Sequence, residues 1–539
     1  MPKISLNKER VLELVGKKVS DKELNEKIPY IGTDLESVGD EIEVEIFPNR
    51  PDLLSLEGFS RALSSFLGIN KGLKKYTAQK SNYVVEVNSN LKEIRPYTVC
   101  AVVKNLKLNE LILDDIIEMQ EKLHITHGRN RKKCAIGIYP LNKISFPVKY
   151  LAQEPDKIRF IPLGFKEPVT GREIIEKHEK GKAYKHLMKD KYPVFIDSKG
   201  EYLSMPPIIN SQVTGNVTTN TKDVFIECSG TSFETISQAL NIVVTSLIDI
   251  GGEAFEVKVK YKEKTKITPE FKNKTININY ENVKKLLGIN ISNKEIIESL
   301  HRMGFGVEKN KIIIPVYRTD ILHEVDIIED IAIGYGYYNI KGDTEKVFTT
   351  GKQEFLELFK SKIRESLIGV GFIENVSYNI VNFEKQNKFF KNILKIKNSS
   401  NLEYNSMRKS LLVSLMNNLE VNKRNGYPQQ IFELGLSFEK NKEIIEQEKL
   451  SVVIAGEETD YTKIKSYFDH LEKSLGITFD YKKEYEKPFI EGRCTAVYLK
   501  NKKIGFIGEL HPEFIKTYNL YVPISAVEIS IEELSKMFN

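Results

Sequence analysis

Tryptophan is absent from this 539-residue chain, and cysteine is scarce. The four cysteines stand singly, at Cys100, Cys134, Cys228 and Cys494. Because none belongs to a C-x-x-C pair, the sequence excludes the usual patterns of zinc sites, dithiol redox centres and iron–sulfur clusters. The chain also lacks an apolar run of the roughly 20 residues that a membrane-spanning helix needs, and its first residues lack the apolar core of a signal peptide. These absences predict a soluble, cytoplasmic protein.

Charge of one sign is not in marked excess either. The 80 basic and 74 acidic residues leave a formal charge of +6, so a site for a polyanion has to be a local patch. The length is too great for one hydrophobic core and predicts several domains. Changes of pattern along the chain place these domains at residues 1–85, 90–260, 266–340 and 345–539.

Acidic residues are concentrated in residues 318–340, RTDILHEVDIIEDIAIGYGYYNI. If this segment is helical, Asp326, Glu329 and Asp330 share one face and the isoleucines lie on the other, because residues three and four apart are helical neighbours. Asp320 lies in the turn that leads into the helix. Several carboxylates on a short, rigid element suit Mg²⁺, which prefers oxygen ligands. A solvated acidic helix face explains the same spacing.

The same segment resembles part of a known family. The pattern R-x-D-[IL]-x-x-E-x-D-[LIV]-[IV]-E-[DE]-[IV]-A-x-x-Y-G is similar to the magnesium-site segment of phenylalanyl-tRNA synthetase β subunits. The resemblance implies one Mg²⁺ per chain, with the ligands Asp320, Asp326, Glu329 and Asp330. The string FPNRPDLLSLEGFSRAL near the N-terminus also resembles the family signature T-P-N-R-P-D-L-L-S-x-E-G-I-A-R. Within it, Asn49 and Arg50 are either ligand contacts or part of an Asx-Pro turn.

The segments YLSMPPIINSQ and VFIECSGTS carry a second part of the resemblance. They are similar to L-S-x-P-P-I-I-N-S and F-I-[DE]-x-T-G-T-D in the editing module of archaeal and eukaryotic-type β subunits. The resemblance implies an editing pocket whose residues are Ser204, Asn210, Glu227 and Ser229, with Phe195 in the wall. The chain has Glu227 where Asp is expected, Ser229 where Thr is expected and Ser232 where Asp is usual. These departures leave the size of the pocket and the placement of water open.

Editing answers a specific chemical problem. Tyrosine differs from phenylalanine by one hydroxyl, and an apolar pocket rejects such a near-isostere poorly. A second pocket can require that hydroxyl if its own buried polar groups stay unpaired without it. We expect Glu227 or its neighbouring backbone to accept the phenolic hydrogen, and the other three residues to position a water molecule and the ester. Since this block contains no Ser-His-Asp or zinc motif, hydrolysis would depend on positioning and polarisation. Polar residues that only close buried turns are the alternative.

A basic cluster precedes a predicted strand in the same block. It comprises Arg129, Arg131, Lys132 and Lys133. Such cations next to an ordered element suit contact with a phosphate backbone. Cations that keep a strand edge from pairing with another strand explain the cluster equally well.

Residues 266–340 predict a winged-helix-like domain, because two helices precede a hairpin that turns at Lys309 and Asn310. The second helix, within NKEIIESLHRM, is not strongly basic. We therefore expect this domain to be structural and not to bind DNA.

Residues 345–539 alternate strands and helices. The stretches MRKSLLVSLMNNLEVN, IFELGLSFE and EGRCTAVYLKNKKIGFIGELHPE resemble the catalytic-like domain of the same β subunits. That resemblance implies an antiparallel class II synthetase core without activity. The terminal G-x-G-x-x-x-R motif of active class II enzymes is absent, and so is a Walker motif. Arg408, Glu433 and Arg493 are either vestigial nucleotide contacts or core and interface residues.

The resemblance extends over nearly the whole chain. It implies an α+β multidomain protein with an editing domain, a winged-helix-like domain and a class II synthetase-like core. It also implies an (αβ)₂ heterotetramer in which the α subunit charges tRNA(Phe), with ATP as substrate, while this β chain edits Tyr-tRNA(Phe). The alternatives are a stand-alone tRNA deacylase, against which the retained synthetase-like core argues, and a non-catalytic nucleic-acid-binding scaffold, against which the nearly neutral second helix argues.

Overall fold

The computed structural model describes residues 2–342, 344 and 347–536. Within these residues the chain divides into two compact units, Met1–Thr344 and Glu345–Asn539. The finer division of the first unit, near residues 85 and 260, stays a prediction. None of the described helices is both long and apolar enough to cross a lipid bilayer.

A small antiparallel sheet opens the first unit. The elements here are β1 (Lys3–Asn7), α1 (Lys8–Val15), α2 (Asp21–Lys27), β2 (Thr33–Val38), β3 (Glu41–Ile46) and α3 (Leu56–Phe66). The strands lie in the spatial order β1, β3, β2. In β3 the alternate residues Ile42, Val44 and Ile46 are buried, as expected of a strand with one face on the core. Ser55 begins α3 by accepting the backbone N–H of Gly58.

A larger sheet makes up most of the first unit. Its elements are β4 (Gln79–Val87), β5 (Tyr97–Lys104), α4 (Glu110–Ile125), β6 (Cys134–Pro140), β7 (Val148–Gln153), β8 (Arg159–Phe160), β9 (Val169–Thr170), α5 (Gly171–Lys177), α6 (Glu179–Tyr184), β10 (Tyr192–Ile196), β11 (Tyr202–Met205), β12 (Ile209–Asn210), β13 (Val224–Gly230), α7 (Phe233–Asp249), β14 (Glu253–Lys260) and β15 (Thr265–Thr268). The spatial order is β12, β11, β10, β7, β4, β14, β5, β13, β6, with β15 added on β14 and the pair β8–β9 outside the sheet.

The two faces of β13 meet different cores. Ile226 and Cys228 pack in the core that holds the buried side of α7, including Val243. Phe225 packs in the core on the opposite face, with Tyr150. Since side chains alternate along a strand, the residues at positions 227 and 229 point to the same face as Phe225.

The third part of the first unit has the predicted order of two helices and a hairpin. Its elements are β16 (Thr275–Asn277), α8 (Tyr280–Leu287), α9 (Asn293–Arg302), β17 (Gly306–Glu308), β18 (Lys311–Ile313) and α10 (Glu324–Tyr335). A capping box between Ser292 and Glu295 begins α9. Gly334 lies inside α10, where a Cβ atom would come within 2.3 Å of the carbonyl oxygen of Ser299. The helix ends at Gly336, whose φ is 95°.

The second unit is built on an antiparallel sheet with one parallel pair at its edge. Its elements are α11 (Phe355–Gly369), β19 (Ile373–Glu374), β20 (Ile380–Val381), α12 (Phe383–Asn387), β21 (Ser406–Met407), α13 (Leu411–Asn422), β22 (Gln429–Lys440), β23 (Ile444–Ala455), α14 (Tyr461–Leu475), β24 (Asp480–Lys482), β25 (Phe489–Leu499), β26 (Lys502–Leu510), α15 (Pro512–Thr517), β27 (Ile524–Ser530) and α16 (Ile531–Ser535). The order is β19, β22, β23, β27, β26, β25, β24. Phe432 faces the core with α11 and α14, and Ile431 faces the core with α13. The predicted α+β multidomain fold is confirmed.

Candidate functional site

Three of the predicted pocket residues meet at the hydroxyl of Tyr139. This hydroxyl lies 2.8 Å from Oγ of Ser204, 3.1 Å from Oε1 of Glu227 and 3.5 Å from Oδ1 of Asn210. Ser204 and Asn210 are direct partners across β11 and β12. Tyr139 belongs to β6, at the opposite edge of the same sheet. The sheet therefore curls until its two edges face each other across these side chains.

Sequence reasoning missed Tyr139, although a signal for it was present. In the pairing of β6 with β13, Tyr139 stands opposite Phe225 and Gly137 stands opposite Glu227. Cross-strand partners share a face of the sheet, so Tyr139 and Glu227 are diagonal neighbours on one side. Recognising this from sequence required knowing that the two strands pair in this register.

Glu227 is a buried carboxyl with spare hydrogen-bonding capacity. Its pKa is raised to about 8 by burial, although the hydrogen bond from Tyr139 and the charge of Arg95 act in the opposite direction. Its second oxygen, Oε2, is buried and has no hydrogen-bond partner among the described residues. A buried unpaired acceptor costs free energy, so this oxygen is a natural position for a ligand hydroxyl.

A cavity of about 240 Å³ adjoins these polar groups. The polar side chains in its lining include Ser204, Asn210, Glu227, Glu121, Arg131 and Lys180. Much of the remaining wall is aliphatic, including Ile116, Ala135, Ile136, Ile138, Ile208, Val224 and Leu247. A cavity with both aliphatic and polar walls suits an aromatic ring that carries a hydroxyl.

The two other predicted residues lie outside this lining. Oγ of Ser229 accepts a hydrogen bond from Nε of Arg95 at 3.2 Å, and its carbonyl accepts one from Nη2 at 2.5 Å. Phe195 stacks on Tyr150, with ring centroids 4.2 Å apart, inside the hydrophobic core. Among the described residues that line the cavity, neither of the two appears. Ser229 binds Arg95, whose charge is close to Glu227, and the Ser229 hydroxyl itself also acts to lower the pKa of Glu227.

Arg131 is not part of a solvent-exposed basic cluster. It is buried, and it donates to both carboxylate oxygens of Glu121, at 2.8 and 3.1 Å. It also donates to the carbonyls of Pro207 and Ile208, at 3.0 and 2.9 Å. These carbonyls belong to the connection between Ser204 and Asn210, so Arg131 holds the hairpin that carries them.

Only part of the basic cluster is available to a phosphate. Arg129 and Lys132 are exposed, and Lys133 is half-buried. The backbone is left-handed at Arg129, Asn130 and Arg131, with φ of 49°, 51° and 63°. This is an uncommon conformation for residues with a side chain, and it turns Arg131 inward while its neighbours face solvent.

His124 contributes a neutral ring to the cavity wall. Its Nε2 accepts the backbone N–H of Ile136 at 2.8 Å. Burial lowers the pKa of His124 to about 4, so the ring carries no charge near neutral pH. In this state His124 stabilises the wall and offers no proton acceptor to a ligand.

The four predicted metal ligands differ in burial and in hydrogen-bond partners. Nη2 of Arg318 donates to Asp320 at 2.7 Å and to Asp330 at 2.6 Å, and Asp330 is buried. Asp326 accepts backbone N–H groups at the start of α10, while Glu329 is exposed. Asp330 is therefore not part of a solvated acidic face, the alternative explanation of the spacing, because it forms a buried ion pair with Arg318.

This arrangement does not fit a magnesium ion. In the part of the chain that the structure describes, no group of three or more His, Cys, Asp or Glu residues is placed to hold a metal. Two of the predicted ligands are already neutralised by a guanidinium, and a third serves as a helix cap.

In the second unit, Arg408 and Glu433 form a closed, buried ion pair. Nη1 of Arg408 lies 2.5 Å from Oε1 of Glu433, and each side chain is only 2% exposed. Nε of Arg408 donates to the carbonyl of Leu436 at 2.8 Å. Ser377 donates to the other carboxylate oxygen at 2.9 Å. Arg493, by contrast, is exposed and pairs with Glu509. The contacts of Arg408 and Glu433 are those of core residues.

Family models match two stretches of the chain. The model of the phenylalanyl tRNA synthetase beta chain CLM domain matches residues 340–531. The model of the tRNA synthetase B5 domain matches residues 276–337. A solved N-terminal fragment of the phenylalanyl-tRNA synthetase β subunit from Pyrococcus horikoshii is 42% identical, covers 62% of this chain and 100% of that chain, and has a TM-score of 0.60.

Curated relatives extend the similarity over the full length. The phenylalanine–tRNA ligase β subunit of Archaeoglobus fulgidus is 37% identical, over 98% of this chain and 98% of its own. That of Pyrococcus furiosus is 40% identical, over 99% of this chain and 100% of its own. With such identity sustained from end to end, the chain belongs to the family of phenylalanine–tRNA ligase β subunits.

Proposed function

We propose that this chain hydrolyses mischarged Tyr-tRNA(Phe) in the cavity bounded by Ser204, Asn210 and Glu227. The observation that carries the proposal is the unpaired oxygen of Glu227 beside an aliphatic cavity of about 240 Å³. The ring of a tyrosyl group fills the aliphatic part, and its hydroxyl donates to Oε2. A phenylalanyl group leaves that oxygen unpaired, at a cost of about 1–3 kcal/mol.

Hydrolysis in this pocket depends on positioning. Asn210 is half-buried at the cavity lining, so its amide is placed to orient the ester or a water molecule. Ser204 carries a hydroxyl that both donates and accepts, and it serves the same purpose in the cavity lining. Ser229 has a role different from the one that the sequence motif suggested, because it holds Arg95 next to Glu227.

We also propose the assembly in which this activity operates. The β chain joins a phenylalanyl-tRNA synthetase α subunit in a cytoplasmic (αβ)₂ heterotetramer, and the α subunit charges tRNA(Phe) with ATP as substrate. The buried pairing of Arg408 with Glu433 supports a β subunit whose synthetase-like core has a structural role.

Rates of deacylation and charging test the proposal. Tyr-tRNA(Phe) and Phe-tRNA(Phe) deacylation are measured with the chain alone and with its α partner, and so is Phe-tRNA(Phe) formation. We expect charging only with the partner, preferential deacylation of Tyr-tRNA(Phe), and loss of that preference in Glu227→Ala. The control variant is Glu201→Ala, which removes an exposed carboxylate from the turn before β11. Unchanged deacylation in Glu227→Ala would reject the pocket, and editing without any partner-dependent charging would favour a stand-alone deacylase.

A further inference from the structure

The hydroxyl of Tyr139 joins the two edges of the curled sheet at the pocket. It reaches Oγ of Ser204 at 2.8 Å on one side and Oε1 of Glu227 at 3.1 Å on the other. Tyr139, Ser204 and Glu227 are each at most 2% exposed. A buried hydrogen-bonded group of this kind has little freedom to change its geometry.

Tyr139 engages only one oxygen of the carboxyl group. Oε1 of Glu227 is paired with Tyr139, and Oε2 is without a partner in the described chain. Glu227 lines the cavity, whereas Tyr139 is not among the described residues that do. The tyrosine therefore occupies one oxygen of a carboxyl group that lines the cavity, and the other oxygen stays unpaired.

The hydrogen bond between Tyr139 and Glu227 also depends on Gly137. It lies opposite Glu227 in the pairing of β6 and β13. A Cβ atom at position 137 would lie 2.2 Å from the hydroxyl of Tyr139 and 2.7 Å from Oε1 of Glu227. Any side chain here would separate the two groups, so the absence of one makes their hydrogen bond possible.

We infer that Tyr139 is a positioning residue of the tyrosyl-ester pocket. Its hydroxyl binds Oε1 of Glu227 and thereby leaves Oε2 free to bind the hydroxyl of the substrate. The inference rests on the proposed editing function and assigns a specificity role to a residue that does not touch the substrate. Gly137 gives Tyr139 the space to reach the carboxyl.

The test compares Tyr139→Phe with Tyr150→Phe. Tyr150 is a fully buried tyrosine of the same core, and its hydroxyl donates to the carbonyl of Arg95 at 3.0 Å. Each variant removes one buried hydroxyl, but only Tyr139→Phe frees Oε1 of Glu227. We expect Tyr139→Phe to reduce the preference for Tyr-tRNA(Phe) over Phe-tRNA(Phe) by about tenfold, as loss of one positioned hydrogen bond does. Tyr150→Phe keeps the preference.

The protonation of Glu227 supplies a readout that is independent of activity. Difference infrared spectra against Glu227→Gln report its protonated carboxyl as the pH is raised. Tyr139 donates to the carboxylate form and so lowers the pKa of Glu227, and its removal shifts the midpoint to higher pH. The other ionisable groups close to Glu227, namely Arg95, Cys100, Tyr150 and Cys228, are unchanged in Tyr139→Phe. A merely structural role for Tyr139 would leave this midpoint in place.

Gly137→Ala tests the same geometry without altering either polar residue. We expect it to reduce the preference and raise the midpoint as Tyr139→Phe does. If the unaltered protein prefers Tyr-tRNA(Phe) and Tyr139→Phe keeps both the preference and the midpoint, the inference fails while the proposed function stands. An equal loss in Tyr150→Phe also overturns the inference. If the unaltered protein has no such preference, the proposed function fails, and the inference fails with it.

Discussion

Nη2 of Arg318 donates to two carboxylates at once, those of Asp320 and Asp330. Because Arg318 and Asp330 are buried, loss of the guanidinium leaves two carboxylates without their countercharge. We expect Arg318→Met to lower the free energy of unfolding of the first unit by about 3–5 kcal/mol. Urea unfolding followed by circular dichroism measures this change.

The matched control for Arg318 is Arg172, which binds Asp156 through the same side-on geometry at 2.9 and 3.0 Å. Both side chains of this pair are more than half exposed. Arg172→Met is expected to have little effect on the free energy of unfolding, since solvent screens exposed pairs. Equal costs for the two variants would show that burial does not determine the strength of the Arg318 pairs.

Asp326 is expected to act as a helix cap. Its Oδ2 accepts the backbone N–H groups of Leu322 and His323, at 2.7 and 2.8 Å. Asp326→Ala should therefore lower stability by about 1 kcal/mol, and by the same amount with and without Mg²⁺. Thermal unfolding at several Mg²⁺ concentrations measures the loss of stability and its dependence on Mg²⁺. A cost that grows with Mg²⁺ would restore the metal site that the sequence suggested.

Arg131, at the cavity lining, is expected to support catalysis by holding the hairpin that carries Ser204 and Asn210. Arg131→Lys keeps the charge but loses the guanidinium that binds the carbonyls of Pro207 and Ile208. The hairpin that carries Ser204 and Asn210 then loosens, and we expect Tyr-tRNA(Phe) deacylation to fall about tenfold. Arg129→Lys, two residues earlier and exposed, should leave the rate unchanged at saturating tRNA. A larger loss of deacylation rate in Arg129→Lys than in Arg131→Lys would indicate that the basic cluster binds phosphate and does not support the hairpin.

Arg408 and Glu433 are expected to stabilise the second unit and not to bind nucleotide. Each single variant, Arg408→Met or Glu433→Leu, leaves one buried charge unpaired and should cost about 3–5 kcal/mol, whereas the double variant should cost less than the sum. Thermal unfolding with and without ATP measures these differences. Stabilisation by ATP that disappears in Arg408→Met would instead identify a nucleotide site.

Stability should depend on the protonation of Glu227. Its pKa in the folded protein is about 8, against an ordinary value of 4.5, so the folded state holds a proton that the unfolded state releases. The stabilisation is complete below about pH 4.5 and is lost as the pH rises through 8. We expect the melting temperature to fall between pH 6.5 and 8.5, and Glu227→Gln to flatten this fall. His124, whose lowered pKa gives the opposite slope, contributes only below its ordinary value of 6.5. If the melting temperature of Glu227→Gln fell equally over this pH range, the group that titrates would be a residue other than Glu227.

The sequence by itself determined the features that depend on neighbours along the chain. The alternation in EIEVEI is typical of a strand with one buried face, and the spacing of Ser292 and Glu295 is typical of a helix start, as the structure has them. The motifs of the editing segments also identified Ser204, Asn210 and Glu227, which the structure brings to one hydroxyl. Propensity, periodicity and capping act over a few residues, so they can be read without knowing the fold.

Only the tertiary structure decided which of these residues work together. Tyr139 meets Glu227 because β6 pairs with β13, and it meets Ser204 because the sheet curls until its edges approach. Asp330 had a spacing suited to an exposed acidic face, but it forms a buried ion pair with Arg318, twelve positions earlier. Pairings of this kind depend on strand register, sheet curvature and the cost of burying an unpaired charge. These are properties of the folded chain, and no local pattern of residues encodes them.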